Sequence, residues 1–209
     1  MLSVGILDYG VGNIASVMKA VDYAGGEPLI IAHAEEVADC DKLILPGVGA
    51  AGHAITRLRE RNLDVALEEA VRKRGVPLMG ICVGMQILAE DLYEFGHHKG
   101  LGWIPGKVIS LQEHGVTCQP VPHMGWNDVT FGNRLGDLSS LLGRHNIFYF
   151  AHSYTLVTEK ADYISVSADY EKDIVAGVAF DSVAAFQFHP EKSQVAGDLL
   201  FQWFLDWRP

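Results

Sequence analysis

The chain has 209 residues, 49% of them hydrophobic and 20% charged, and its formal net charge is −10. This composition excludes a disordered or fibrous protein, and the acidic balance disfavours nucleic acid, whose binding depends on Lys and Arg neutralising phosphates. A chain of this length buries roughly 70% of its unfolded surface, so it needs no disulfide or metal to fold. We therefore expect residues 1–209 to form a single domain.

The N-terminal stretch "MLSVGILDYG" carries no positively charged region and ends its apolar run at Asp8. It predicts a first strand rather than a signal peptide. No apolar run approaches the roughly 18 residues that a membrane span needs. The three cysteines, Cys40, Cys82 and Cys118, fit neither a disulfide framework nor a zinc motif. We expect a cytoplasmic protein without membrane contact.

In the first half of the chain, short apolar runs alternate with helical patterns. The strand "SVGIL" is followed by the helix "NIASVMKAVDYAGG", which Gly25 should end. "KLILP" predicts a second buried strand, "LDVALEEAVRKRG" a helix ended by Gly75, "VPLMGI" another strand and "GMQILAEDL" another helix. Strands separated by helices of this length indicate right-handed βαβ units and a parallel sheet.

The second half is rich in strands separated by short turns. The strand-like segments are "WIPGKVISL", "WNDVTF", "NIFYFAHSYTLV", "YISVSADY" and "IVAGVAFDSVAAFQF", and the chain closes on the helical "VAGDLLFQWFLDW". The sequence thus predicts an α/β fold in which antiparallel strands extend a central, mostly parallel sheet.

The segment "GVGAAG", residues 47–52, matches the G-x-G-x-x-G pattern of a dinucleotide-binding turn. Three details count against that function: the match follows the second predicted strand, Pro46 starts the turn, and the acidic residues about 20 positions on, Glu68 and Glu69, lie inside a helix. Backbone N–H groups of such a turn could equally stabilise a negatively charged transition state.

Cys82 lies in "GICVG", between an apolar strand and a predicted helix. A lone cysteine is most often a small buried hydrophobe. However, small residues at Gly80 and Gly84 are typical of a nucleophile elbow, a strained turn that holds the reactive side chain at the start of a helix. The helix near Val83 would then favour the thiolate, and the Val83 N–H could hold an oxyanion.

"FQFHPEKS" supplies a base for such a nucleophile. His189 and Glu191 follow an apolar strand, and strand alternation would place them on the same side, so the carboxylate could orient the imidazole. Either residue could instead be structural or solvated. The other histidines lack the His-x-x-x-His spacing of a helical metal site, and we predict no metal.

Together, "GICVGMQ" and "FHPEK" resemble the class I, or triad, glutamine amidotransferase family, whose motifs are G-x-C-x-G-x-Q and H-P-E. Four further segments are similar to the glutaminase subunits of imidazole glycerol phosphate synthase: "DYGVGNIASV", "LPGVGA", "PHMGWN" and "FYFAHSY". The matches run from residue 8 to about residue 194. The resemblance implies a flavodoxin-like three-layer α/β domain and no cofactor.

The resemblance also implies roles for individual residues. Cys82 would be the nucleophile, His189 the acid and base, and Glu191 the orienting carboxylate. Oxyanion donors would come from the backbone at Val83, Val48 and Gly49. Substrate contacts would involve Gly49, Gln86, and the "HSY" segment of His152, Ser153 and Tyr154. Positions near a partner interface would be Asn13, Met124, Trp126, Tyr149 and Lys192.

Two residues depart from the family pattern, which often has Leu at Val83 and an aromatic residue at Ala51. Neither change removes a backbone N–H, so we expect adjustment of the oxyanion hole rather than its loss.

For this family, the implied reaction is hydrolysis of glutamine to glutamate and ammonia through a thioester on Cys82. Because the amidotransferase motifs span the chain, the enzyme that consumes the ammonia should be another polypeptide. The resemblance implies a heterodimer with a (β/α)8 barrel cyclase subunit that makes imidazole glycerol phosphate and an aminoimidazole carboxamide ribonucleotide in histidine biosynthesis.

Three alternatives stay open on the sequence alone. The first is another triad glutaminase, for example of pyridoxal phosphate or anthranilate synthesis, which should lack "DYGVGN" and "PHMGWN". The second is a nucleotide-binding protein using "GVGAAG", and the third is a catalytically silent partner subunit. Binding of NAD would identify the nucleotide-binding protein. Only a measurement of glutaminase activity would distinguish the silent subunit from an active glutaminase.

Overall fold

The computed structural model describes all 209 residues. The strands are β1 (Ser3–Leu7), β2 (Glu27–Ile31), β3 (Lys42–Gly47), β4 (Leu78–Cys82), β5 (Ala89–Leu92), β6 (His98–Lys99), β7 (Ile104–Ser110), β8 (His123–Asp128), β9 (Thr130–Phe131), β10 (Ile147–His152), β11 (Tyr154–Val157), β12 (Ile164–Tyr170), β13 (Lys172–Phe180) and β14 (Val183–Phe186). The α-helices are α1 (Ile14–Tyr23), α2 (Ala51–Glu60), α3 (Leu63–Leu67), α4 (Val83–Gln86), α5 (Leu111–His114), α6 (Leu138–Leu142) and α7 (Gln194–Asp206).

An eight-stranded sheet in the order β2-β1-β3-β4-β14-β13-β12-β9 forms the centre of the fold. Its first five strands are parallel, and their order is that of a flavodoxin-like sheet with β14 as the fifth strand. The remaining three strands join antiparallel. The predicted α/β class and the antiparallel extension of a parallel sheet are therefore confirmed.

Continuous apolar runs explain the central strands, since every residue of β3, β4 and β14 is buried. Helices α1 and α7 pack against each other, and α2 packs against α3. Two smaller sheets, β10-β8 and β11-β7-β5-β6, complete the fold. None of the helices combines the length and the apolar character that crossing a membrane requires.

The structure differs from the predicted elements in several places. The sequence analysis missed β2 and α2, so "KLILP" forms the third strand rather than the second. The predicted helix over "LDVALEEAVRKRG" is an α-helix only over Leu63–Leu67 and continues as a π-helix over Glu68–Lys73. The sequence analysis also predicted one helix over "GMQILAEDL", but only α4 is helical and β5 follows it. Tertiary hydrogen bonds explain the change, because the carbonyls of Ile87 and Leu88 accept from the N–H groups of Leu101 and Trp103. These long-range partners replace the helical ones.

Candidate active site

Cys82 occupies a strained turn between β4 and α4. Its backbone has φ 53° and ψ −110°, a conformation that L residues rarely adopt. The flanking glycines are required by space: a Cβ on Gly84 would lie 1.8 Å from the Leu45 carbonyl oxygen, and one on Gly80 would lie 2.8 Å from the Ala185 Cβ. The turn therefore has the geometry of a nucleophile elbow. Its helix is only four residues long, however, so helix-dipole stabilisation of the sulfur is smaller than the sequence suggested.

His189 and Glu191 form a buried pair beside this elbow. The His189 Nδ1 donates to Glu191 Oε1 at 2.9 Å, and the two side chains are 4% and 1% exposed. Their contact does not come from strand alternation, as the sequence analysis assumed. Instead β14 ends at Phe186, and the 3₁₀ turn Pro190–Lys192 brings the carboxylate back to the ring.

The environment of His189 favours its charged form. Burial lowers the pKa of His189, but the neighbouring Cys82 sulfur and the Glu191 carboxylate outweigh it and raise the pKa to about 10. The imidazolium form is thus favoured, with the sulfur and the carboxylate as its neighbours. This arrangement can hold a negatively charged nucleophile and deliver a proton to a leaving group.

The elbow opens into a pocket with a volume of about 430 Å³. All the residues predicted to form the oxyanion hole or contact the substrate line this pocket together with Cys82 and His189: Val48, Gly49, Val83, Gln86, His152, Ser153 and Tyr154. The "GVGAAG" turn lines it through residues 48–50. Gly49 has φ +81°, a conformation that favours glycine.

Gln86 supports the pocket wall with its amide. Its Nε2 donates to the Tyr154 carbonyl at 3.1 Å and to Gln187 Oε1 at 3.0 Å. The sequence analysis missed Gln187, which is fully buried and donates from Nε2 to the Cys82 Sγ at 3.6 Å. The signal was a polar residue between two phenylalanines in "FQFHPEK", since a buried amide must find partners.

Glu94 was also missed. It lines the pocket, and its Oε2 accepts from the Ala51 N–H at 2.7 Å, just beyond Gly49. Burial raises the pKa of this carboxyl. No local pattern indicates Glu94, because its hydrogen-bond partner is 43 residues away along the chain.

Four of the five residues predicted near a partner interface, Met124, Trp126, Tyr149 and Lys192, lie close together beside the pocket. Met124 and Trp126 are exposed on β8, 64% and 48% respectively. The Trp126 ring lies 5.9 Å from the Tyr149 ring, and Lys192 Nζ lies 5.7 Å from the centre of the Tyr149 ring. Asn13 precedes α1, which contacts the Pro190–Lys192 turn. Met124 and Lys192 also line the pocket.

A family model described as class-I glutamine amidotransferase matches residues 6–207. Two solved structures share the fold at 18% and 19% identity, each with a TM-score of 0.72: a glutamine amidotransferase, with 97% of each chain covered, and PurLQS from Thermotoga maritima, with 98% of each chain covered. The fold and the match along the chain thus define a class I glutamine amidotransferase.

Curated relatives specify the family further. The chain is 39% identical to imidazole glycerol phosphate synthase subunit HisH 2 of Nitrobacter winogradskyi, with 100% of both covered. It is 41% identical to subunit HisH of Zymomonas mobilis, covering 99% of this chain and 97% of the relative. The chain belongs to the family of HisH subunits of imidazole glycerol phosphate synthase. The predicted resemblance and the predicted enzyme class are confirmed.

Proposed function

We propose that this chain hydrolyses glutamine at Cys82 and supplies the ammonia to a separate cyclase subunit in histidine biosynthesis. One observation carries the catalytic part: Cys82 and His189 line one pocket, and His189 is hydrogen-bonded on its Nδ1 side to the buried Glu191 carboxylate. A buried sulfur next to a protonated imidazole is the arrangement that nucleophilic catalysis needs.

The first half-reaction forms a thioester. The Cys82 thiolate attacks the side-chain carbonyl carbon of glutamine, and the negative charge moves to the carbonyl oxygen. Backbone N–H groups at Val83 and in the Val48–Gly49 segment stabilise this oxyanion, each donor contributing about 3 kcal/mol. The His189 imidazolium then protonates the amide nitrogen, the C–N bond breaks, and ammonia leaves.

The second half-reaction releases glutamate. Neutral His189 takes a proton from water as the oxygen attacks the thioester carbon. The second tetrahedral intermediate collapses, the C–S bond breaks, and the thiolate and the imidazolium are regenerated. Glu191 stays ionised and holds the ring through Nδ1, so that Nε2 faces the reacting atoms.

The acceptor of ammonia is a (β/α)8 barrel cyclase subunit, which binds this chain as a heterodimer. Exposed Met124 and Trp126, beside Tyr149 and Lys192, support the proposal that this face meets the cyclase. Two large exposed apolar side chains next to the pocket entrance suit an interface that keeps ammonia from water.

The test is covalent labelling by diazo-oxo-norleucine, a glutamine-mimicking electrophile. We expect intact mass to show one label on the chain with the cyclase subunit and its ligand present, blocked by glutamine and absent in Cys82→Ser. If the folded wild-type protein takes up no label in any mixture, the proposed chemistry is wrong, and the chain is instead a catalytically silent subunit.

A further inference from the structure

A line of buried and partly buried hydrogen bonds runs from strand β8 to the Cys82 sulfur, separate from the His189–Glu191 pair. We call it the β8 relay. Its members each bond to the next: Asn127, His123, His152, the Tyr154 carbonyl, Gln86 and Gln187. The last member contacts Cys82 Sγ at 3.6 Å.

The first half of the relay consists of two imidazoles. Asn127 Nδ2 lies 3.3 Å from His123 Nε2, His123 Nδ1 lies 3.0 Å from His152 Nε2, and His152 Nδ1 lies 2.8 Å from the Tyr154 carbonyl oxygen. These distances are those of ordinary hydrogen bonds. Both ring nitrogens of both histidines are therefore in use.

The chemistry of the ends fixes the direction of every bond. A carbonyl can only accept, so His152 carries its proton on Nδ1 and accepts at Nε2. His123 must then donate from Nδ1 and accept at Nε2. Asn127 satisfies that acceptor, because its Nδ2 also donates to the Asp169 carbonyl at 2.9 Å and the amide orientation is thereby set.

Burial keeps both rings neutral, as this pattern requires. His123 is 3% and His152 5% exposed. Burial lowers the pKa of His123 to about 4 and is the main cause that lowers the pKa of His152 to about 3. His123 is also held by packing, since its ring lies 3.9 Å from the Tyr170 ring and 4.5 Å from the Phe150 ring.

We infer that His123 is a positioning residue for glutamine binding: its Nδ1–H holds the His152 ring, which in turn holds the Tyr154 carbonyl at the pocket wall. This inference rests on the proposed function, because it assigns a role in binding that function's substrate. Met124 and Trp126 lie on the same strand, so the relay begins on the strand proposed to face the cyclase.

Two substitutions separate positioning from packing. His123→Asn keeps an N–H at the position of Nδ1 but loses the ring stacking, whereas His123→Phe keeps the stacking and loses the N–H. Positioning predicts that KM for glutamine, measured with the cyclase subunit and its ligand present, rises about tenfold in His123→Phe, the effect of losing one hydrogen bond, with kcat nearly unchanged. His123→Asn should stay within about twofold of wild type. If only packing of the ring matters, KM should instead rise more in His123→Asn than in His123→Phe.

Nitrogen NMR of the uniformly labelled wild-type chain tests the relay without any activity measurement. We expect both His123 and His152 as neutral Nδ1–H tautomers at pH 7. An Nε2–H tautomer for either, or a KM in His123→Phe no higher than in His123→Asn, overturns the inference. If His123→Phe does not fold, an Nε2–H tautomer of either histidine in the wild type still overturns the inference. A wild-type complex without glutaminase activity but with these tautomers would refute the proposed function and leave the relay geometry intact.

Discussion

At the scale of single residues, the site depends on one protonated histidine. His189 is buried beside a sulfur and a carboxylate, where charges interact more strongly than they do in water. Glu191 Oε2 has no hydrogen-bond partner, so the carboxylate is held mainly through Oε1 and the ring. Such a carboxylate can orient the imidazole while keeping most of its charge for stabilising the imidazolium.

Replacing Glu191 by Gln should therefore separate charge from shape. Without the negative charge, the pKa of His189 falls towards its ordinary value, and the imidazolium needed to protonate the leaving amide nitrogen is lost at a lower pH. We expect kcat to fall at least about 100-fold and the alkaline limb of the rate profile to move to lower pH. Steady-state glutaminase assays from pH 6 to pH 10, with the cyclase subunit and its ligand present, measure both effects.

Glu35→Gln is the matched control, because Glu35 is exposed and does not line the pocket. It should leave both kcat and the profile unchanged. An unaltered profile in Glu191→Gln would show that the carboxylate does not act on His189.

At the scale of elements, the Cys82 elbow stores backbone strain. Conformations of this kind cost a residue with a side chain about 1–3 kcal/mol, whereas glycine adopts them freely. We expect Cys82→Gly to be more stable than Cys82→Ala by about 1 kcal/mol, measured by urea unfolding. In an ordinary helix the order is reversed, because glycine costs about 0.5–1 kcal/mol relative to alanine.

Ala20→Gly in α1 supplies that ordinary comparison and should be destabilising. Both Cys82 variants lack the sulfur, so a difference between them reports on the backbone alone. Equal stability of the two would mean that the turn relaxes when the thiol is removed.

The β8–β10 pair should make the fold sensitive to acid. His123 and His152 have pKa values lowered to about 4 and about 3, whereas both take up protons near pH 6.5 once unfolded. Between those limits the unfolded state binds more protons, so stability falls as pH falls from about 6.5 towards 4. For each unit by which the pH falls within that window, each histidine should raise the unfolding equilibrium constant about tenfold.

Urea unfolding of wild type and His123→Asn between pH 4 and pH 8 measures this dependence. Below pH 6.5 the free energy of unfolding should fall less steeply with falling pH in the variant, because one histidine's contribution is lost. Above pH 7 the free energies of the two proteins should change in parallel. Parallel curves over the whole range would mean that His123 is protonated in the folded state.

The same elements show what the sequence could and could not predict. Continuous apolar runs predicted β3 and β4, and glycine spacing predicted the elbow, because both are local signals. The β5 strand was missed because hydrogen bonds from residues 101 and 103 determine it. The carboxylate of Glu94 and the imidazole of His123 were missed for the same reason, since their partners lie 43 and 29 residues away.

At the scale of the whole molecule, the parallel half of the central sheet carries both proposed catalytic groups, and a separate two-stranded sheet lies beside them. β4 ends at Cys82, and β14 leads to His189. The smaller sheet β10-β8 brings the proposed interface beside them. The proposed partner face thus lies next to the proposed site of glutamine hydrolysis, and Met124 and Lys192 line the pocket from that side.

Trp126 should accordingly be central to cyclase binding. It is half-exposed and packs edge-on against Tyr149, and buried tryptophans at interfaces commonly contribute 2 kcal/mol or more. We expect Trp126→Ala to raise the Kd for the cyclase subunit of the same organism about 30-fold, measured by isothermal titration calorimetry. Tyr23→Ala is the matched control, because Tyr23 is 72% exposed at the other end of the helix that begins after Asn13. An equal Kd for both variants would place the interface elsewhere. A rise in Kd for Trp126→Ala alone would show that the strand carrying His123 contacts the partner.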